Sequence, residues 1–279
     1  MNSSNILSIT TFVYGLSALL YIVFLIFKKD VSGRLATWTA VVGIVGNILG
    51  VGLRWVESYE LGYGHAPLSN LYESLVFFAW AIAAIYLFME YRYKNRIVGA
   101  FVMPLAFLAM AYASLSPNIS DRIQPLIPAL KSNWLIAHVV TCFLGYAGFA
   151  IAFGISLMYV FRERPAVSPD SFLARFPELG VMDDMTHKMV QFGFLFLTIG
   201  IITGAVWANS AWGRYWGWDP KETWSLITWF IYATLLHARL MRGWRGRKIA
   251  FVSIVGFTAV LFTYFGVNLL PGLHSYGSP

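Results

Sequence analysis

The sequence predicts an all-α integral membrane protein with eight transmembrane helices, and three observations carry this prediction. Only 12% of the 279 residues are charged, 58% are hydrophobic, and the mean hydropathy is +0.64. A soluble domain carries about 25% charged residues, so this composition does not fit a water-facing surface. Apolar runs of about 20 residues, the length that crosses a bilayer core, recur along the chain. The net charge of +7 is spread over short clusters between these runs, which argues against a nucleic-acid partner.

The predicted helices follow one another with short connections. In chain order they are Ile6–Phe27, Leu35–Leu53, Asn70–Met89, Ile97–Leu115, Trp134–Phe161, Met189–Ala208, Trp224–Leu240 and Ile249–Leu269. No basic segment precedes the first run, which also exceeds the apolar core of a signal peptide, so we expect it to be a membrane helix. Together they predict a single polytopic membrane domain over residues 1–279.

The distribution of basic residues predicts the orientation. Of the 20 Lys and Arg residues, 15 fall in one alternate set of connections, and this set is expected to face the cytoplasm. Both termini and the loop between helices 6 and 7 are then expected on the outer side, facing the periplasm, the cell exterior or a lumen. The longest inner connection, residues 162–188, contains three prolines and is predicted to be irregular with one short helix.

Two features of the membrane helices point to packing. Cys142 is the only cysteine, which excludes an internal disulfide and a thiolate metal cluster, and it is interpreted as a small buried residue. Gly200 and Gly204 form a Gly-x-x-x-Gly pair in the sixth helix, a spacing that lets two helices approach closely.

Residues 209–224, named here the Trp-rich loop, contain the sequence Trp-Gly-Arg-Tyr-Trp-Gly-Trp-Asp-Pro-Lys-Glu-Thr-Trp. Aromatic rings at this density require a flat apolar partner, which is lipid, protein or a planar ligand. Asp219, Pro220 and Glu222 have the pattern of a capping box at a helix start, so a structural role is expected for both acids.

Histidines at the same predicted depth favour a planar ligand over a simple aromatic belt at the membrane surface. His138 and His274 are both expected on the outer side, where two imidazoles and indole faces suit a porphyrin. Its carboxylates require cations, and the outer ones available to them are Arg54, Arg122, Arg214 and Lys221. His237 lies thirteen residues after Trp224, about 20 Å along the same predicted helix. At that distance it cannot bind the same iron as His138 and His274, so it indicates a second, inner haem position. His65 is expected to be structural.

The Trp-rich loop resembles the WWD signature of haem-handling proteins in cytochrome c maturation. With residues 64–74, 200–207 and 266–276, it makes the chain similar to the CcsA/ResC family of system II. The resemblance implies export of haem b (iron protoporphyrin IX), held on the outer side by His138 and His274, with His237 at an inner haem. The loop residues implied in haem contact are Trp212, Tyr215, Trp216, Trp218, Asp219 and Trp224.

The resemblance also implies the partners. A CcsB (ResB) subunit completes a cytochrome c synthase, which attaches haem to the Cys-x-x-Cys-His motif of apocytochrome c. No catalytic side chain is expected in this chain, and the fourth haem ligand is expected from CcsB rather than from His187. A bacterial plasma membrane is expected rather than a thylakoid membrane. The alternatives are a haem-delivery protein of the system I type, a b-type electron-transfer subunit and a non-haem transporter.

Overall fold

Eight α-helices dominate the structure, a computed structural model that describes residues 2–163 and 171–270. They are α1 (Ser3–Phe27), α2 (Asp30–Glu60), α3 (Leu71–Tyr93), α4 (Gly99–Leu115), α5 (Asn133–Arg162), α6 (Leu179–Trp212), α7 (Pro220–Arg242) and α8 (Arg247–Tyr264). Short 3₁₀ turns lie at Pro128–Leu130, Phe172–Arg175 and Gly266–Leu269. No β-strand occurs in the two described ranges, so the prediction of an all-α chain is confirmed there.

Six of the described helices are long and apolar enough to cross a membrane, namely α1, α2, α3, α5, α6 and α8. The α4 helix is apolar but has only 17 residues. Several apolar spans in one chain support an integral multi-pass membrane protein. The count of eight spans and the outer location of the termini stay predictions.

The α6 helix begins at Leu179, ten residues before its predicted start at Met189. The prediction of an irregular connection up to residue 188 was therefore wrong for its last ten residues. Helices were predicted from apolar runs, and the charged residues in this first part of α6 interrupt such a run. The structure shows how these charges are paired. Lys188 pairs with Asp184 one turn earlier at 2.7 Å, and the buried Asp183 pairs with Arg239 of α7 at 2.7 Å.

The chain divides into two compact units. Unit 1 comprises Met1–Ile127 and Arg164–Pro177, and it contains α1–α4. Unit 2 comprises Pro128–Glu163 and Glu178–Pro279, and it contains α5–α8. In unit 1 the Arg175 guanidinium donates to the carbonyl oxygens of Leu25 and Ile26 and so satisfies the last turn of α1. The single polytopic domain expected from the sequence stays a prediction.

A buried ion pair connects α2 to the start of α3 in unit 1. Arg54 Nε donates to Glu73 Oε1 at 2.7 Å, and both side chains are about 98% buried or more. Glu73 also accepts from the Ser69 backbone N–H and hydroxyl, each at 2.8 Å. Asn70 caps α3 by accepting a hydrogen bond from the Glu73 N–H. The pair therefore fixes both the start of α3 and its contact with α2.

A second buried carboxylate joins three helices near the other end of unit 1. Glu90 of α3 accepts hydrogen bonds from the hydroxyls of Tyr21, Thr37 and Tyr86 at 2.5, 2.6 and 2.7 Å. Arg96 Nε lies 3.3 Å from the same carboxylate. Buried charge in a membrane helix requires such partners, and this set neutralises and hydrogen-bonds the carboxylate.

In unit 2 the backbones of α5 and α6 are in direct contact through glycines. A Cβ atom added at Gly145 would lie 2.9 Å from the backbone N of Leu197, and one at Gly193 would lie 2.9 Å from the carbonyl oxygen of Gly145. Any side chain at these positions would separate the helices. Tyr232 of α7 stacks on Phe149 of α5 with ring centroids 3.5 Å apart. The site described below is built on the α5–α6 contact.

Replacing Glu73 by Leu is expected to destabilise unit 1 by about 3–5 kcal/mol, because it leaves the Arg54 guanidinium buried without its counter-charge. The double variant Arg54→Met/Glu73→Leu is expected to recover most of the loss, since it buries no charge. The measurement is the thermal unfolding midpoint of the purified chain in detergent.

The matched control is Asp184→Ala, which breaks an ion pair whose side chains are 48% and 54% exposed. We expect it to change the stability by at most about 1 kcal/mol. Equal loss of stability in the single and double variants at residues 54 and 73 would contradict the role given to this buried pair.

Candidate functional site

The Trp-rich loop joins α6 to α7 and is closed at both ends by helix caps. The α6 helix ends at Trp212, and Gly213 adopts φ +73° while its N–H donates to the Asn209 carbonyl oxygen. This left-handed conformation is the usual helix C-cap and favours glycine. The α7 helix begins with Asp219 as N-cap and Pro220 as first helical residue. The loop therefore has fixed anchor points on two long helices.

A capping box holds the second half of the loop. The Asp219 carboxylate accepts from the Lys221 N–H at 2.9 Å, and Glu222 Oε2 accepts from the N–H groups of Gly217 and Asp219 at 2.7 and 3.1 Å. These bonds confirm the structural role predicted for Asp219 and Glu222. They also hold Trp218 at φ +57°, a conformation that costs a residue with a Cβ atom about 1–3 kcal/mol. Strain stored at one aromatic residue of a loop points to function at that residue.

The aromatic residues of the loop divide into anchors and exposed rings. Trp212 packs edge-on against Trp207 with centroids 4.9 Å apart, and Trp224 packs on Phe262 of α8 at 4.2 Å. By contrast Tyr215 is 60% exposed and Trp218 is 69% exposed. Trp216 is half-buried and meets Trp218 at 5.7 Å with the rings almost perpendicular. The loop thus displays flat apolar surface that its own fold does not cover.

His138, in the second turn of α5, is held in one orientation by α6. Its Nδ1 lies 2.7 Å from the carbonyl oxygen of Gly200, and its ring is nearly parallel to that of Trp207 at 5.9 Å. A carbonyl oxygen only accepts hydrogen bonds, so Nδ1 carries the proton and the lone pair of the neutral ring lies on Nε2. Metal-binding histidines characteristically use this arrangement, with the second nitrogen donating to a carbonyl.

Trp207 connects His138 to the Trp-rich loop. Its ring contacts both His138 and Trp212, and its indole Nε1 donates to the Ala129 carbonyl oxygen at 2.9 Å. The sequence placed Trp207 in a matching motif but assigned it no role. Trp207 follows Gly204 by three residues and Gly200 by seven, so all three residues lie on one face of α6. This helical spacing was the sequence signal that could have placed Trp207 at the contact with α5.

The two glycines of the Gly-x-x-x-Gly pair make room for side chains of α5. A Cβ atom at Gly204 would lie 2.6 Å from His138 Nδ1, and one at Gly200 would lie 2.6 Å from Cys142 Sγ. Cys142 is 7% exposed, so the prediction of a small buried residue is confirmed. The close packing expected from the glycine spacing is present. It serves the imidazole of His138 as well as the contact between helices.

The remaining histidines lie in different surroundings. His65 is 7% exposed, and its ring nitrogens contact the carbonyl oxygens of Ala66 and Gln124 at 3.1 and 2.9 Å, which agrees with the expected structural role. His237 is exposed on α7, about 27 Å along the helix from Asp219. His187 on α6 is partly buried beside Arg239 and Asp183. His274 lies outside the described residues, so its predicted contact with the Trp-rich loop stays a prediction.

Two cations belong to the loop itself. The Arg214 guanidinium lies over Gly217, where an added Cβ atom would approach it to 2.8 Å. Burial lowers the pKa of Lys221 from its ordinary value, and the Asp219 carboxylate opposes this shift. Of the other predicted outer cations, Arg54 is buried against Glu73 and Arg122 lies in an exposed segment. Arg214 and Lys221 are therefore the cations closest along the chain to the exposed aromatic rings.

The donor set fits haem better than a bare metal ion. No group of three or more His, Cys, Asp or Glu side chains that could hold a metal ion occurs in residues 2–163 and 171–270. Haem iron needs only one or two axial ligands from the protein, because the porphyrin supplies four nitrogens, and the ring needs flat apolar neighbours. A fixed imidazole joined by Trp207 to an aromatic loop provides both requirements.

Comparison with known proteins agrees with this chemistry. A family model described as cytochrome C assembly protein matches residues 68–274. A cytochrome c biogenesis protein CcsA from Heterosigma akashiwo is 39% identical over 91% of this chain and 88% of that protein. Its counterpart from Synechococcus sp. is 42% identical over 81% of each chain.

Among solved structures, the cytochrome c haem lyase CcmF resembles this chain with a TM-score of 0.73 and 17% identity. The likeness covers 95% of this chain but only 47% of CcmF, so the chain spans about half of that protein. At this identity the likeness shows a shared fold. The family model and the curated relatives, which cover most of the sequence, confirm the resemblance drawn from the Trp-rich loop. The chain belongs to the cytochrome c assembly protein family.

Proposed function

We propose that this chain binds haem and presents it for attachment to apocytochrome c. Membership of the cytochrome c assembly family and the CcsA relatives support the role in cytochrome c biogenesis. The observation that carries the proposal is the fixed imidazole of His138, with Nδ1 donating to Gly200 and the ring parallel to Trp207. Haem b (iron protoporphyrin IX) is cargo in this scheme.

The exposed rings of the Trp-rich loop supply the porphyrin contact. Trp216, Trp218 and Tyr215 offer flat apolar area, while Trp212 and Trp224 anchor the loop to the helices below it. The capping box holds Asp219 and the strained Trp218 before haem arrives, so little ordering entropy is lost on binding. Arg214 and Lys221 pair with the haem carboxylates. The result is a haem with one edge free for the apocytochrome thiols.

His274 is the proposed second axial ligand of this outer haem. It follows the α8 helix, and α8 packs against Trp224 through Phe262. Two imidazoles give a six-coordinate low-spin iron, which keeps small molecules off the metal while the vinyl groups react. The thioether bond forms by addition of a cysteine thiol to a vinyl group. The contribution of the protein is orientation of haem and apocytochrome.

His237 is the proposed ligand of an inner haem. Its side chain is exposed on α7 rather than directed into the core of unit 2, so its partner ligand is available from another chain. This exposure supports the expected CcsB subunit as the source of the second imidazole. His187 lies on α6 beside Asp183 and Arg239, and Arg239 follows His237 by two residues on α7. The chain then functions in a bacterial plasma membrane, with its Trp-rich loop on the outer side.

Replacing His138 by Ala is expected to remove the low-spin absorption bands of the outer haem. The reason is that iron loses the one axial ligand whose geometry α6 fixes. The measurement is the reduced absorption spectrum of the purified chain, co-expressed with CcsB, together with the yield of mature cytochrome c.

His65→Ala is the matched control, since it removes an imidazole from a loop of unit 1 that is bonded to backbone carbonyls. We expect it to keep the haem bands after correction for the amount of folded protein. A full haem spectrum in the His138→Ala variant would exclude His138 as a ligand and with it the proposed site.

Gly204→Ala is expected to weaken haem binding roughly 10-fold or more, the usual cost of disturbing the group that orients a metal-binding histidine. The added Cβ atom would lie 2.6 Å from His138 Nδ1 and displace the ring from the Gly200 carbonyl. The measurement is haem affinity by titration of the haem-depleted chain.

Gly52→Ala provides the control on α2 of unit 1, because no atom lies within 4 Å of its added Cβ. It is expected to leave haem affinity unchanged. Equal affinities in the two alanine variants would show that the position of the His138 ring does not control binding.

A further inference from the structure

A cleft of about 800 Å³ lies in unit 2, at the ends of the helices opposite the Trp-rich loop. It is formed where α5 ends, α6 begins, α7 ends and α8 begins. The 23 residues of α7 separate the end of the helix at this cleft from Asp219 by about 35 Å. The outer haem site does not include it.

The wall of the cleft is held by a buried carboxylate. Asp183 of α6 forms an ion pair with Arg239 of α7 at 2.7 Å and accepts a hydrogen bond from the N–H of Gly246 at 2.8 Å. Gly246 also lies against Tyr159 of α5, since an added Cβ atom would approach the tyrosine hydroxyl to 2.5 Å. These contacts fix the turn between α7 and α8, residues 243–246, across the helix ends. The cleft is therefore a formed feature of unit 2.

The described lining is positively charged. Five cationic residues and three carboxylates line the cleft, an excess of two positive charges: Arg239, Arg242, Arg245, Arg247 and Lys248 against Glu163, Asp183 and Asp184. Arg239 is neutralised by Asp183, and Arg247 lies 3.9 Å from Glu163. Within residues 2–163 and 171–270, Arg242 and Arg245 form no ion pair. Their guanidinium groups are available to carboxylates of a ligand.

The lining also provides flat aromatic surface. Trp244 and Tyr159 line the cleft together with Leu179, and Lys248 lies over the Trp244 ring at 5.4 Å. Guanidinium groups beside an indole recognise a molecule that has both a planar ring and anionic groups. The phosphate of a lipid headgroup uses the cations but has no planar ring for Trp244. The excess of two positive charges matches a ligand with two carboxylates.

We infer that this cleft binds the two carboxylates and ring edge of haem before haem reaches His237, with Arg242 and Arg245 as the carboxylate partners. The inference rests on the proposed haem-handling function and assigns it a receiving site. His237 lies two residues before Arg239 on α7, and His187 lies one turn after Asp183 on α6. Both histidines are therefore next to the cleft residues, on the side toward the middle of their helices.

The test uses metal-free protoporphyrin IX, which has the haem carboxylates but no iron for a histidine to bind. Its fluorescence is titrated in detergent that contains no anionic lipid against the full chain carrying Arg214→Gln/Lys221→Gln, so that the cations of the Trp-rich loop do not contribute. This chain is the parent of the variants below and is called the unchanged chain. Arg242→Gln/Arg245→Gln is expected to weaken binding about 10-fold or more, because two charge-assisted contacts are lost. Arg242→Lys/Arg245→Lys keeps the charge and is expected to retain most of the binding, which separates charge from folding.

The matched control is Arg34→Gln/Arg92→Gln, which removes two exposed cations from unit 1 and the same total charge. It is expected to leave the affinity within about twofold of the unchanged chain, since neither residue lines the cleft. Protoporphyrin dimethyl ester, which lacks the two charges, is expected to bind the unchanged chain as weakly as the diacid binds the Gln variant.

Three results would overturn the inference. The first is that the diacid binds the Arg242→Gln/Arg245→Gln variant as tightly as the unchanged chain. The second is that the unchanged chain binds the diacid and the ester with equal affinity. The third is that the Gln variant binds the diacid normally and loses only its binding to phosphatidylglycerol vesicles. The last result would make the cleft a lipid site. Because the probe contains no iron, these outcomes do not depend on His138, whose role is tested by the haem spectrum.

Discussion

The orientation of His138 depends on the close contact between the α5 and α6 backbones. Helices in a membrane gain little from hydrophobic burial against one another, so their association relies on close packing and hydrogen bonds. Glycines at 145 and 193 bring the two backbones together, and those at 200 and 204 leave space for the side chains of α5. Only at this separation does the His138 ring reach the Gly200 carbonyl at 2.7 Å. The packing of this helix pair therefore also sets the orientation of the His138 imidazole.

The Trp-rich loop combines a fixed backbone with an exposed aromatic surface. Its hydrogen bonds are directed to its own backbone, through Gly213 at one end and Asp219 and Glu222 at the other. Its exposed rings are directed outward, although large apolar rings are costly to leave in water. The fixed backbone and the exposed rings together support the proposed contact of this loop with a flat ligand. The positive φ of Trp218 supports the same proposal.

The local features of the site could be predicted from the sequence because they depend on neighbouring residues. The capping box at Asp219–Glu222 was predicted correctly, since capping needs only a few adjacent side chains. The early start of α6 was missed because Asp183 is satisfied by Arg239, more than 50 residues away in the sequence. A search for apolar runs treats such a charge as a helix boundary.

The role of Trp207 could not be predicted for a similar reason. Its contacts with His138, Trp212 and Ala129 join three separate segments, so only the fold brings them together. The glycine spacing predicted a close helix contact but not the imidazole that fills the space beside Gly204. The cleft opposite the loop was also absent from the sequence interpretation. Its cations were visible as a cluster, but their arrangement around Trp244 and Asp183 requires four helix ends.

The measurement that tests the central claim most directly is an experimental structure of the haem-loaded chain in complex with CcsB. The account predicts iron bonded to Nε2 of His138 while Nδ1 remains hydrogen-bonded to the Gly200 carbonyl, with the porphyrin against the rings of the Trp-rich loop. Haem bound on the outer side by other ligands, with the His138 ring still between Gly200 and Trp207 and away from iron, would contradict it.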